Sequence, residues 1–353
     1  MKVITQLDVF AAHPGKPLVV ALGNFDGVHL GHQRILDLIK LKAKEFNCEP
    51  AVITFREHPQ QILHRKGKAL LLTSTYQKLG LLEEAGMPFC FVLEFTEQFS
   101  MQSPEVFVKQ VLVDQLHAKG VCMGFNARFG HDREGTAQTM DVLARQNGFE
   151  FLSMPAISHG EKPVSSTRIR ELIYAGDLDE VRCLLGRYFS LFGTVVKGAG
   201  LGTHIGVPTA NLDPHSEVFP PQGVYSVLVD VVEKEITDEN SEGFEFHLNK
   251  SQEKLPGVLN FGLRPTVASS SASVQPTMEV HLMDSKAGYQ GKVLDVKFIK
   301  KIRNEEKFSS VDALRDQIKR DMITAKQHIQ EVLQNDASHD HLRNSSDSFS
   351  MIH

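Results

Sequence analysis

The chain has 353 residues, 41% of them hydrophobic and 23% charged, with a formal net charge of -5. That length exceeds what one hydrophobic core organises, roughly 250–300 residues, so two domains are expected. The acidic balance argues against a nucleic-acid coat, which needs a concentrated basic face, and no apolar run reaches the ~18–20 residues of a membrane span.

The start, MKVITQLDVFAAHPGK, lacks the basic-then-apolar pattern of a signal peptide. A cytoplasmic protein acting on small molecules is expected, with no nucleic-acid or membrane partner; its oligomeric state stays open. Cys48, Cys90, Cys122 and Cys183 are far apart and sit in apolar runs, so they read as buried free thiols.

From residue 18 short apolar runs alternate with amphipathic stretches. Residues 18–25, 50–55, 89–95, 120–125 and 149–155 read as buried strands, and 31–46, 76–86, 103–117 and 136–147 as helices. Ser103-Pro104-Glu105 is a helix start: a cap, a pre-set φ and a carboxylate on the positive end. This alternation predicts a parallel sheet covered on both faces. Two shorter helices follow, one from Ser165/Ser166 and one from Asp177, with Glu180 placed for a capping box.

Beyond Tyr188 the texture changes. FSLFGTVV, GVYSVLVDVVE, FEFHL, GVLNFG, TMEVHLMD and KVLDVKFIKKIR are strand-like and separated by turns. They predict a small antiparallel barrel, with a hairpin loop at 237–243 and a long amphipathic helix from Ser309 to Gln334. The domains are drawn at 1–185 and 186–334. Residues 335–353 are polar and aperiodic and read as a disordered tail.

GNFDGVHLGH (23–32) lies where the first strand runs into its helix, the place where ligands bind in open α/β sheets. Gly23, Gly27 and Gly31 let a phosphate approach the backbone, and the helix start offers free N–H groups. His29 and His32 can donate to one polyphosphate and stabilise a leaving pyrophosphate. G-x-G-x-x-G is absent, which disfavours a hydride-transfer cofactor. Later, SSTRIR (165–170) places Ser166, Thr167, Arg168 and Arg170 at a helix start, ready for phosphate oxygens. Two surface histidines and an ordinary N-cap are the bland readings of these runs taken singly.

A second glycine-rich run, 193–212, holds Gly198, Gly200 and Gly202 ahead of Pro208-Thr209-Ala210-Asn211. It reads as a flap for a nucleotide phosphate chain, with the oxygens of Thr209 and Asn211 suited to Mg²⁺. It is not a Walker A loop. In TMEVHLMD, Glu279 and His281 share one strand face, and Glu279 is placed to act as general base on an alcohol.

Taken in order, GNFDGVHLGH, TFREHP, LLTSTYQKLGLLEEAG, SPEVFV, GFNARFG and SSTRIR resemble the nucleotidyltransferase superfamily, specifically the FMN adenylyltransferase domain of bacterial bifunctional riboflavin kinase/FAD synthetases. PTANL, GVYSV, GVLNFGLRPTV, EVHLMD, GYQG and IRNEEKF resemble the riboflavin kinase domain. The resemblance implies a Rossmann-like α/β domain followed by a small antiparallel β-barrel with a long terminal helix. It implies ATP at Gly23, Phe25, Asp26, His29, His32, Ser166, Thr167 and Arg170, with Asn126 near the reacting groups and His58 beside the flavin. In the kinase domain it implies Mg-ATP at Thr209 and Asn211, Glu279 as base on the terminal ribityl hydroxyl, and Arg303 near the flavin. Riboflavin, FMN and ATP would be the substrates. The chain departs from the family at Glu57, Ala127, Lys197, the serine-rich 268–273 and the 285–291 turn. These departures motivate an alternative, a flavin-binding regulator with decayed sites. A tRNA-charging enzyme, suggested by the histidine signature, lacks a basic anticodon-binding segment.

Overall fold

The computed structural model describes residues 1–12, 15–56, 70–94, 96–198, 207–265, 274–283, 285 and 288–346. His58, Gly200, Gly202, Glu57 and the 268–273 run lie outside them. The chain divides into two compact units. One comprises Met1–Leu172, Glu180–Arg187 and Lys234–Asn249; the other comprises Ile173–Asp179, Tyr188–Glu233 and the chain from Lys250 onward.

The first unit carries strands β1 (Lys2–Ile4), β2 (Leu18–Leu22), β3 (Glu49–Phe55), β4 (Phe89–Leu93), β5 (Ala118–Gly124) and β6 (Glu150–Met154), ordered β1-β4-β3-β2-β5-β6. Every neighbouring pair in that order is parallel. Alternate residues of one strand enter opposite cores: Leu18, Val20 and Leu22 pack on one side, Val19 and Ala21 on the other. That is the double burial which continuous apolar strands foretell. Helices α1 (Leu7–Ala12), α2 (Leu30–Glu45), α3 (Thr75–Glu84), α4 (Glu97–Ser100), α5 (Pro104–Phe107) and α6 (Ala137–Asn147) belong to this unit. The helix expected over 103–117 starts as predicted, with Ser103 Oγ accepting from Val106 N, but continues as a π-helix over Val108–Gln115. A two-stranded hairpin, β7 (Ser158–His159) and β8 (Lys162–Pro163), precedes α7 (Ser166–Ala175) and α8 (Leu178–Leu185).

The second unit holds β9 (Ser190–Val196), β10 (Ala210–Pro214), β11 (Gly223–Thr237), β13 (Leu255–Pro265), β14 (Val274–Leu282) and β15 (Val293–Arg303), while the intervening β12 (Gly243–Lys250) falls mostly in the first unit. These six strands run β13-β14-β10-β9-β15-β11, and β11 pairs back to β13, closing an antiparallel barrel. Met278, Val280 and Leu282 of β14 are buried while Glu279 and His281 between them are not, the period-two pattern of a strand with one face in the core. The terminal helix α9 (Val311–Ser346) buries Ala325 and Ile329 among Val224, Val258, Leu228 and Ile299.

Three expectations need correction. FEFHL, counted among the barrel strands, lies in β12 and pairs antiparallel with β1, because its Phe246 fills the first unit's core beside Val3. The strand period cannot say which sheet a strand joins. Helix α9 runs past Gln334 to Ser346, since no glycine or proline interrupts 335–346. Of the cysteines, Cys90 and Cys122 are buried, and burial pushes both thiols up to about 12, but Cys183 is exposed. Its helix turns Val181, Leu184 and Leu185 inward instead.

Candidate active sites

At the C-terminal end of β2 the chain takes positive φ at Phe25 (51°), Gly27 (80°) and Val28 (36°). Such conformations in non-glycine residues cost about 1–3 kcal/mol each and persist only where the surroundings over-determine them. Here the surroundings do. The buried Asp26 carboxylate accepts from Leu72 N at 2.9 Å and Thr73 N at 3.2 Å, and pairs with Arg170. Ser166 Oγ donates to Asp26 O at 3.0 Å, and Gly27 N donates to Thr73 Oγ1 at 3.2 Å. Arg187 donates to Gly27 O at 2.6 Å and Val28 O at 3.1 Å. A Cβ at Gly27 would stand 2.8 Å from Leu72 Cδ1.

The loop delivers His29 to the N-cap of α2, where its Nδ1 accepts from His32 N at 3.4 Å. Neutral His29 therefore carries its proton on Nε2, as a donor. The two imidazoles stack with centroids 3.7 Å apart and planes 15° from parallel. Burial, then the Arg187 guanidinium, lowers His29 to about 4. Burial, helped by His29, Lys78 and Arg187, holds His32 well below its ordinary value. His32 Nδ1 is sealed from solvent without a protein partner. The pair is neutral at pH 7, and the Arg187 guanidinium acts on both rings.

Several predicted residues are brought together here, though with altered parts. Phe25 is fully buried and packs 5.0 Å from His32, so its side chain is core. Asp26 and Arg170, each expected on ATP, engage each other, and Arg170 also donates to Leu70 O at 2.5 Å. Arg168, expected to fork onto phosphate, instead donates to His159 O, Lys162 O and Glu180 Oε1. Thr167 stays exposed one residue beyond Ser166, at the start of α7.

Beside this loop lies a cavity of about 490 Å³, lined by Gly23 and Asn24, by Asn126 and Ala127, and by the rings of Phe55, Phe99, Phe107 and Phe129. Its size and apolar walls suit one flat aromatic ligand. Two functional candidates were not singled out as site residues, Lys78 within LLTSTYQKLGLLEEAG and Arg187 outside every motif. Lys78 is buried, and its Nζ donates to Phe55 O at 2.9 Å and Thr54 Oγ1 at 3.1 Å at the end of β3 and to Asn24 O at 3.4 Å just beyond β2, while burial lowers its basicity. The signal was a lysine on the same helix face as Leu82. Arg187 lay outside every recognised motif and offered none.

In the barrel unit, Asn211 of β10 stands directly opposite Glu279 of β14, and Glu279 opposite Asn260 of β13. Directly opposed residues share a sheet face, so these three form a polar row on the outer side of the barrel. His281 follows on the same face, with Nδ1 2.8 Å from Pro208 O. Thr209 precedes β10 and is half-buried. At Gly198 a Cβ would fall 1.9 Å from Asn211 Nδ2, so the backbone there lies against that amide. The hydroxyl of Thr209 and the amide oxygen of Asn211 are hard donors that fit Mg²⁺. Arg303 is held by Asp321 of α9 through Nε at 3.1 Å and Nη2 at 2.8 Å. The resemblance to the riboflavin kinase domain implies a place for it near the flavin.

The family described as FAD synthetase matches residues 12–168, and the riboflavin kinase family matches 185–329. A bifunctional riboflavin kinase/FMN adenylyltransferase from Haemophilus influenzae is 36% identical over 87% of this chain and 92% of its own length. The protein of that description from Escherichia coli K12 is 33% identical over 93% of this chain and 97% of its own. A crystal structure described as a macrolide-efflux protein from Streptococcus pneumoniae superposes with a TM-score of 0.76 at 26% identity, over 92% of this chain and 99% of that one. Among the described residues, no helix is long and apolar enough to cross a membrane.

Proposed function

This chain belongs to the bifunctional riboflavin kinase/FMN adenylyltransferase family, and on that footing we propose how its residues divide two ATP-dependent transfers. The enzyme phosphorylates riboflavin to FMN and adenylylates FMN to FAD. Both catalytic domains match in tandem, and nothing in the relatives favours a regulator with decayed sites.

Adenylyl transfer is assigned to the first unit, read as a Rossmann-like nucleotidyltransferase fold. The observation that carries the assignment is the aromatic-walled cavity bounded by Gly23 and Asn126, at the C-terminal end of β2 where the histidine loop begins. A flavin ring fits the phenylalanine walls. An FMN phosphate oxygen attacks the α-phosphorus of ATP, forming one P–O bond as the α–β bridging bond breaks. His29 Nε2–H and His32, with the start of α2, stabilise the departing pyrophosphate. No protein nucleophile is required, so alignment and charge stabilisation carry the rate.

Phosphoryl transfer is assigned to the polar row of the barrel. Glu279 takes the proton of the terminal ribityl hydroxyl as that oxygen attacks the γ-phosphorus and ADP leaves. Thr209 and Asn211 would hold the Mg²⁺ of Mg-ATP, which neutralises charge on the β- and γ-phosphates when bound. The flap at Gly198 would cover the phosphate chain. The unpaired thiols fit a reducing compartment such as the cytoplasm.

The test is incubation of the purified chain with riboflavin and Mg-ATP, separating the products by chromatography. FMN should appear first, followed by FAD and pyrophosphate in equal amounts. If neither flavin product forms, the assignment fails.

A further inference from the structure

The first unit gathers a second cluster of chemistry-bearing side chains, outside both sites above. His159 sits in the β7–β8 hairpin, and Glu180 and Cys183 occupy successive turns of α8. One donor atom from each lies within 4.8 Å of the other two. His159 Nε2 is 3.6 Å from Glu180 Oε2. His159 and Cys183 are exposed and Glu180 is half-buried, so the group opens to solvent.

One guanidinium organises it. Arg168 Nη1 donates to the hairpin carbonyls of His159 at 3.3 Å and Lys162 at 3.0 Å, while Nη2 donates to Glu180 Oε1 at 2.5 Å. The hairpin backbone is thereby clamped, and Glu180 keeps Oε2 turned toward His159. Partners of this kind orient ligands in metal sites.

We propose that His159, Glu180 and Cys183 form a binding site for a borderline-soft divalent cation of the Zn²⁺ class. Imidazole nitrogen, carboxylate oxygen and thiolate sulfur form a mixed donor set that Zn²⁺ accepts and that Mg²⁺ and Ca²⁺ do not favour. Bonds of about 2.0–2.3 Å in a tetrahedron put ligand atoms roughly 3.3–3.8 Å apart. The observed spread closes to that range by rotamer adjustments of about 1 Å, which exposed side chains make readily. Glu180 and the Cys183 thiolate offset the ion's charge, and water takes the fourth position. A bound ion would staple the β7–β8 hairpin to α8. The site is distinct from the Mg-ATP site of the barrel unit.

The test uses Co²⁺ as a spectroscopic stand-in for Zn²⁺, added to the full chain freed of metal by chelation and kept reduced with a phosphine. A thiolate-to-cobalt charge-transfer band should grow to one ion per chain, and Zn²⁺ should abolish it. Cys183→Ser should lack the band, and His159→Ala should bind Co²⁺ roughly tenfold or more weakly, the loss expected from deleting one of three protein ligands. Both side chains are exposed, so the substitutions leave the core intact. Absence of the band in the unsubstituted chain, its survival in Cys183→Ser, or unchanged affinity in His159→Ala would each overturn the proposal.

Discussion

The imidazoles of His29 and His32 lie face to face, and the amide of one residue donates to the ring of the other. Their closeness makes a second positive charge unfavourable, and burial disfavours even the first. His29 is lowered to about 4 from an ordinary 6.5, so the unfolded chain binds the proton more readily between those values. Stability from this residue is therefore complete above pH 6.5 and lost as pH falls toward 4. The loss amounts to about 3 kcal/mol. Urea melts across that window should show the slope, and a His29→Asn chain should show a shallower one.

His29→Asn also separates the two reactions. Asparagine is a good N-cap and keeps an acceptor for the start of α2, so the helix survives while the imidazole donor goes. FAD formation should fall by roughly 10²–10³-fold, with FMN formation from riboflavin unchanged. Glu279→Gln should do the opposite. FMN formation should drop by roughly 10²–10⁴-fold, while FAD formation from supplied FMN continues. Equal loss of both products from either substitution contradicts independent sites.

Gly198→Ala tests the flap. The new methyl would fall 1.9 Å from Asn211 Nδ2 and 2.4 Å from its Cγ, so the flap or the amide must move. A misplacement of about 1 Å at a positioning group costs on the order of 10²-fold. Riboflavin phosphorylation should fall by that amount, while FAD formation from supplied FMN, assigned to the first unit, should be unchanged.

Arg303 is tested by stability. Asp321 is 2% exposed and also accepts from Gln317 at 2.8 Å. Arg303→Met leaves that carboxylate buried without its cation, a loss of about 3–5 kcal/mol. Arg303→Lys should recover only part, because an ammonium cannot reproduce the forked contact. Denaturant midpoints of the three chains decide this.

Much of the molecule was legible in one dimension. Apolar runs bounded by turns located most of the longer strands but missed β1 and β10, and the change from alternating helices to bare strands marked the change of architecture near Tyr188. Motif order identified both chemistries. These features are local, since strand period, caps and glycine spacing act over a few residues. What only folding decided were the pairings between distant positions. Arg170 lies 144 residues from Asp26 and Arg187 lies 160 from Gly27, so no spacing rule could join them. Phe246 joined the core beside Val3 for the same reason: which sheet a strand enters depends on the apolar surface left uncovered elsewhere, and that surface exists only in three dimensions.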